Sequence, residues 1–262
     1  MDFSRFSLEG RVAIVTGGSG GIGSASARAF ADAGANVVIV SVPADSIPPV
    51  VAEIETRGVQ ALGIAANVAN AEEVERMVAQ VMERFGRIDI LMNVAGGTFA
   101  RNPDMPQYQR AALLDMGEDD FMTTFESNVK TGFLCAKGVV PHMKAAGKGV
   151  IINIGSSSGF PNPGGRTGDL TAYGAAKAAV HQMTLRMAQQ WGPEIRAVCI
   201  APGVINTPRP AGYVRPEMAD AIERIAVGRL GVAEDIAGVA GFLASDAASF
   251  VNGVTVLVNG GE

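Results

Sequence analysis

Seven apolar runs of strand length alternate along this chain with longer stretches of helical periodicity, and this narrows the possible folds more than any other feature. The runs are Val12–Thr16, Asn36–Val40, Ala61–Ala65, Ile88–Asn93, Val150–Ile154, Ile195–Ile200 and Gly253–Val258. Most are continuously apolar rather than alternating, the pattern of strands buried on both faces. Between them, Ile22–Ala33, Val50–Arg57, Glu72–Phe85, Asp119–Lys144, Ala172–Gln190 and Glu234–Ser245 read as helices. Strand and helix in alternation with short links predict an α/β fold with a doubly wound, mainly parallel seven-stranded sheet flanked by helices. Right-handed crossovers then put a ligand crevice at the carboxyl ends of the strands.

The chain has 262 residues, 48% of them hydrophobic and 18% charged, which suits one domain spanning 1–262 with a large core. A net charge of −5 offers no basic footprint for nucleic acid. No apolar stretch approaches the roughly 18 residues of a membrane span, and Met1–Gly10 does not read as a signal peptide. The two cysteines, Cys135 and Cys199, lie in apolar segments and read as buried free thiols, which suits a reducing cytoplasm. No cysteine–histidine cluster has metal-ligand spacing, so no metal is expected.

Two local patterns carry chemistry. The first strand runs directly into Thr16-Gly-Gly-Ser-Gly-Gly-Ile-Gly23 and then a helix. Glycines let backbone N–H groups approach a pyrophosphate, and the helix N-terminus adds unpaired donors and partial positive charge. Two glycine frames are present, Gly18-x-Gly20-x-x-Gly23 and Gly17-x-x-x-Gly21-x-Gly23. The second pattern is Tyr173 with Lys177, four residues on in an alanine-rich helix and so on the same face. An ammonium beside a phenol favours the phenolate and prepares it for proton transfer near neutral pH. By itself this spacing also recurs on solvated helix faces, and it gains weight from the rest of the chain.

Together these segments identify the chain as resembling the short-chain dehydrogenase/reductase family, from about Gly10 to Gly261. The family's Thr-Gly-x-x-x-Gly-x-Gly stands as Thr16, Gly17, Gly21 and Gly23, and its Asn-Asn-Ala-Gly as Asn93-Val-Ala-Gly96. Its helix asparagine is matched by Asn128, its strand-end serine by Ser156, and its tyrosine and lysine by Tyr173 and Lys177. The nicotinamide-seating loop resembles Pro202-Gly-Val-Ile-Asn-Thr207. The resemblance implies a Rossmann-type domain that interconverts a secondary alcohol and a ketone with NAD or NADP. Tyr173 would exchange the proton, Ser156 would orient the substrate oxygen, and Lys177 would hold the nicotinamide ribose and tune Tyr173. Asn128 would hold a water of a proton relay. Cofactor contacts would come from Gly17, Ser19, Gly21, Ile22, Gly23, Ser41, Asn67, Val68, Asn93, Ala95, Gly96, Tyr173, Lys177, Pro202, Gly203, Ile205 and Thr207. In the family the matching long helices, Asp119–Lys144 and Ala172–Gln190 here, pack between subunits, so the resemblance implies a homo-oligomer, a tetramer or dimer. Alternatives are reduction of a 3-oxoacyl-carrier substrate, epimerisation, or, outside catalysis, a dinucleotide-binding regulator.

The chain departs from the family pattern in places. The intervals from Gly96 to Asn128 and from Ser156 to Tyr173 are long, which puts insertions near 99–115 and 160–169 and leaves Ser157 or Ser158 as alternative working serines. A substrate loop is expected near 207–227. Arg101, Arg166 and Arg209 on these segments are candidates to meet an anionic substrate group. After the second strand, where an acidic residue would grip the ribose of NAD, stands Ser41 followed by Val42. Without that carboxylate a 2′-phosphate meets no repulsion, which tilts the sequence reading slightly to NADP. His142 and His181 read as packing or surface residues, and Trp191, at a helix end, as a core or interface residue.

Overall fold

A computed structural model describes residues 3–97, 113–161, 170–207 and 222–262. Seven strands form one sheet: β1 (Val12–Thr16), β2 (Asn36–Ser41), β3 (Ala61–Ala65), β4 (Ile90–Asn93), β5 (Gly149–Ile154), β6 (Ile195–Pro202) and β9 (Thr255–Val258). Their order is β3-β2-β1-β4-β5-β6-β9, and every pairing is parallel. Two short strands, β7 (Ile205–Asn206) and β8 (Gly231–Val232), pair separately. The helices are α1 (Gly21–Asp32), α2 (Pro48–Glu55), α3 (Ala71–Phe85), α4 (Glu118–Phe125), α5 (Thr131–Ala145), α6 (Thr171–Trp191) and α7 (Ala233–Ala244).

The unbroken apolar strands have the expected cause. Successive side chains of a strand point to opposite faces. In β1, Ala13 and Val15 join Phe30 of α1 and Ile236, Ala240 and Leu243 of α7 on one face. Val12 and Ile14 join Met77 and Val81 of α3, Val139 and Met143 of α5, and Met187 of α6 on the other. Both faces are dry, so the alternation of an open sheet is missing.

One expected element breaks. In place of a single helix over Asp119–Lys144, α4 and α5 are separated by one π turn, Glu126–Lys130, with Asn128 buried inside it. A π turn is a wider coil that inserts an extra residue, and such turns gather at functional sites. The order of strands reverses between β1 and β4, which places the crevice above their carboxyl ends.

Candidate active site

The glycine-rich segment forms the turn from β1 into α1. Gly17 has a φ of +62°, and a Cβ there would sit 3.0 Å from the backbone nitrogen of Ala95. A Cβ on Gly18 would lie 2.8 Å from the carbonyl of Val15, and one on Gly23 would collide with the carbonyl of Gly17. No side chain caps α1 at Gly20, so its first turn keeps open backbone donors. Thr16 ties this loop to the next strand end, since its Oγ1 accepts from the N–H groups of Val94 (3.1 Å) and Ala95 (3.2 Å). The bare cradle, uncapped helix and flanking strand ends fit a dinucleotide pyrophosphate.

Beside this loop lies a hydroxyl chain. Ser19 Oγ is 2.6 Å from Ser41 Oγ and 2.8 Å from Ser46 Oγ, and Ser46 donates to the carbonyl of Pro43 at 2.6 Å. Each hydroxyl has one proton. With Ser46 committed to Pro43, Ser19 must donate to Ser46 and Ser41 to Ser19. The other cofactor candidates cap neighbouring strands. Asn67 and Val68 follow β3, Ala95 and Gly96 follow β4, Pro202 ends β6 with Gly203 just after it, and Ile205 opens β7 with Thr207 just beyond its end. Val68 is buried, whereas exposed Asn67 uses its side-chain oxygen to accept from Ala69 N–H at 3.1 Å.

The catalytic candidates converge from β5, α6 and the π turn. Lys177 is 4% exposed, and its Nζ donates to the carbonyl of Ile154 at the end of β5, 2.9 Å away. The same nitrogen lies 5.5 Å from the centre of the Tyr173 ring. Burial pulls the lysine down to about 8. Ser156, two residues beyond Ile154, is itself buried, while Ser157 and Ser158 belong to the 3-10 turn that follows. Ser156 Oγ accepts from the N–H of Ser158 at 3.2 Å, which leaves the hydroxyl proton to donate elsewhere.

Asn128 clamps the segment after β4. Its Nδ2 donates to the carbonyls of Gly97 (2.7 Å) and Thr124 (2.9 Å) and to Ser127 Oγ (3.1 Å), and its Oδ1 accepts from Gly97 N–H at 3.0 Å. The Asn128 amide is thus already committed to protein partners.

Two further contacts escaped sequence reasoning. Asn93 of β4 donates to Asn153 of β5, and Asn153 donates to Thr184 of α6, each at 2.9 Å. This buried ladder seats α6 beneath the sheet. No spacing rule links β4, β5 and α6, so only the topology reveals it. His181 packs against the turn that carries Ser156, with Ser156 N–H directed at its Nε2. Arg101, Arg166 and Arg209 lie outside the described residues, as do most of the 99–115 segment, nearly all of 160–169 and the greater part of 207–227. Among the described residues, no group of three or more His, Cys, Asp or Glu side chains could hold a metal ion, and no helix is long and apolar enough to cross a membrane.

Comparison with known proteins adds the family. A family model described as enoyl-(acyl carrier protein) reductase matches residues 17–262. The chain is 36% identical to (2S)-[(R)-hydroxy(phenyl)methyl]succinyl-CoA dehydrogenase subunit BbsD of Thauera aromatica, over 97% of each protein. It is 34% identical to the 3-oxoacyl-[acyl-carrier-protein] reductase FabG of Thermotoga maritima, over 97% of this chain and 98% of that one. A solved 7α-hydroxysteroid dehydrogenase, complexed with NADH and 7-oxo glycochenodeoxycholic acid, superposes with a TM-score of 0.87. It is 34% identical and is matched over 100% of this chain and 97% of that one. The matches over nearly the whole length show that the chain is a member of the short-chain dehydrogenase/reductase family.

Proposed function

We propose that this chain interconverts a secondary alcohol and a ketone with a nicotinamide cofactor, Tyr173 serving as the general acid and base. One observation carries this reading: a dry lysine nitrogen, anchored to the strand end that leads to Ser156, stands 5.5 Å from the Tyr173 ring. Lowering a phenol from about 10 to about 7 takes roughly 4 kcal/mol. The Lys177 ammonium beside the ring favours the phenolate and acts in that direction. In the reducing direction Tyr173 gives its proton to the substrate oxygen as negative charge builds there, and the free proton of Ser156 donates to the same oxygen. When bound, the nicotinamide supplies or takes the hydride. Asn128 acts at one remove, by fixing Gly97 and opening α4–α5 around the site.

The named relatives act on different molecules, a substituted succinyl-CoA, a 3-oxoacyl carrier and a bile acid. What those substrates share is a carbinol or ketone carbon, and this supports the reaction class. A 3-oxoacyl thioester is the second substrate reading, favoured by the identity to the Thermotoga reductase.

The hydroxyl chain bears on the cofactor. Its protons run from Ser41 through Ser19 and Ser46 to Pro43, so it presents lone pairs rather than donors. Neither 17–23 nor 41–47 holds an Arg or Lys, and the latter holds Asp45. A ribose 2′-hydroxyl suits this surface better than a 2′-phosphate, which needs charged donors. We therefore favour NAD, reversing the slight tilt that Ser41 alone gives. NADH is expected to bind about tenfold or more tighter than NADPH by nicotinamide fluorescence titration, a gap of about 1.4 kcal/mol. Equal or tighter NADPH binding would contradict it. For the substrate, an absorbance screen of ketones and secondary alcohols, with 3-oxoacyl thioesters included, should give turnover on at least one class. No turnover with any of them would count against the reading.

A further inference from the structure

Tyr173, Lys177 and His181 follow one another at four-residue steps along α6, and so lie in one stripe. The first two face the reaction, and the third reaches the turn after β5. Ser156 N–H is directed at His181 Nε2, 3.5 Å away. The imidazole is wedged into the turn from below. A Cβ on Gly159 would lie 2.6 Å from His181 Cε1, and one on Gly155 would collide with Nε2. The Phe160 ring closes the far side at 4.7 Å between centroids. Glycine at both 155 and 159 is thus what lets the turn settle on the imidazole, and the turn in turn holds Ser156.

We propose that His181 is the positioning residue for Ser156, a neutral imidazole whose Nε2 accepts the Ser156 N–H and whose ring sets the height of the 155–160 turn. This rests on the reading of Ser156 as the donor to the substrate oxygen. An Nε2 that accepts requires the remaining proton on Nδ1. The surroundings keep the ring neutral. Burial lowers its pKa first, and the Lys177 ammonium lowers it further. From β6 the facing titratable group is Cys199, a thiol that burial pushes up to about 11 and keeps uncharged. The 155–160 turn contributes only hydroxyls. A protonated ring would set an N–H against the N–H of Ser156 and push the turn away.

The test compares His181→Leu, which keeps bulk and loses the acceptor, with His181→Gln, whose side-chain oxygen can take the place of Nε2. Both are made with and without Ser156→Ala. In His181→Leu, kcat for ketone reduction is expected to fall about tenfold, the scale of a small misplacement of a reacting group, with cofactor affinity unchanged. His181→Gln should recover most of it. In the Ser156→Ala background His181→Leu should cost nothing more, because residues acting as a unit are not additive. An undiminished kcat in His181→Leu, no recovery in His181→Gln, or a full further loss in the Ser156→Ala background would overturn the proposal. If Ser156→Ala alone turns over like the parent, the reading of Ser156 fails first and is recognised as such. Nitrogen-15 NMR of the parent protein gives an answer independent of variant folding: Nε2 should be unprotonated at neutral pH, and a protonated Nε2 would refute the assignment.

Discussion

Lys177 shows at the scale of a single residue how function is set against stability. Its ordinary pKa is about 10.5, and burial holds it near 8 in the folded chain. The folded state therefore binds this proton more weakly than the unfolded state does. Below about pH 8 the chain carries the whole cost of burying the charge, roughly 3 kcal/mol. That cost fades as pH rises from about 8 to about 10.5, where the unfolded chain also gives up its proton. Losing the bond to Ile154 offsets about 1 kcal/mol of any gain from removing the charge. Lys177→Met should then lose turnover yet melt several degrees higher at pH 7, with the gain shrinking toward pH 10. A variant that melts lower at pH 7, or whose gain does not depend on pH, would contradict this account. The stripe of Tyr173 and Lys177 was legible because helical period alone aligns them. His181 extends that stripe by the same step, yet its contact exists only because a turn from β5 folds over α6. No local pattern in the sequence announces that meeting.

Among the elements, the glycine turn was the most legible, since its strand, bare backbone and helix are contiguous in sequence. Its glycines are not equivalent. A Cβ at Gly23 meets the Gly17 carbonyl, whereas one at Gly238 in α7 meets nothing within 4 Å. Gly23→Ala should destabilise the chain by about 1–3 kcal/mol in denaturant unfolding and abolish cofactor binding. Gly238→Ala should stabilise it by about 0.5–1 kcal/mol and leave binding intact. If the two behave alike, the loop is not packed as described. The break between α4 and α5 was not legible. No glycine or proline marks Glu126–Lys130, and the apolar period runs through it. Within that turn Asn128 bonds to Thr124 one turn back and to Gly97 after β4, and the second partner lies on another segment, invisible to a reading of one helix. The seven strands, by contrast, were legible to within two residues at each end, and for the central five burial on both faces leaves continuous apolar runs.

At the scale of the whole molecule, the described residues include exposed apolar groups around β9, at the edge of the sheet. Phe250 is fully exposed, and Val254 and Leu257 are about half exposed, as is Phe133 on α5. An open strand edge with such side chains invites a partner. We infer that copies of this chain cover them, so light scattering should give a mass two or four times that of one chain, and a monomer at micromolar concentration would count against it. Tyr173→Phe tests the central claim most directly, because it removes one oxygen and leaves the cofactor cradle intact. In that variant NADH should bind as in the parent by fluorescence titration, while turnover falls by about 10²–10⁴, the usual worth of a positioned acid or base. Turnover within a few fold of the parent, with binding preserved, would show that the proton passes through another group and that the proposed chemistry is wrong.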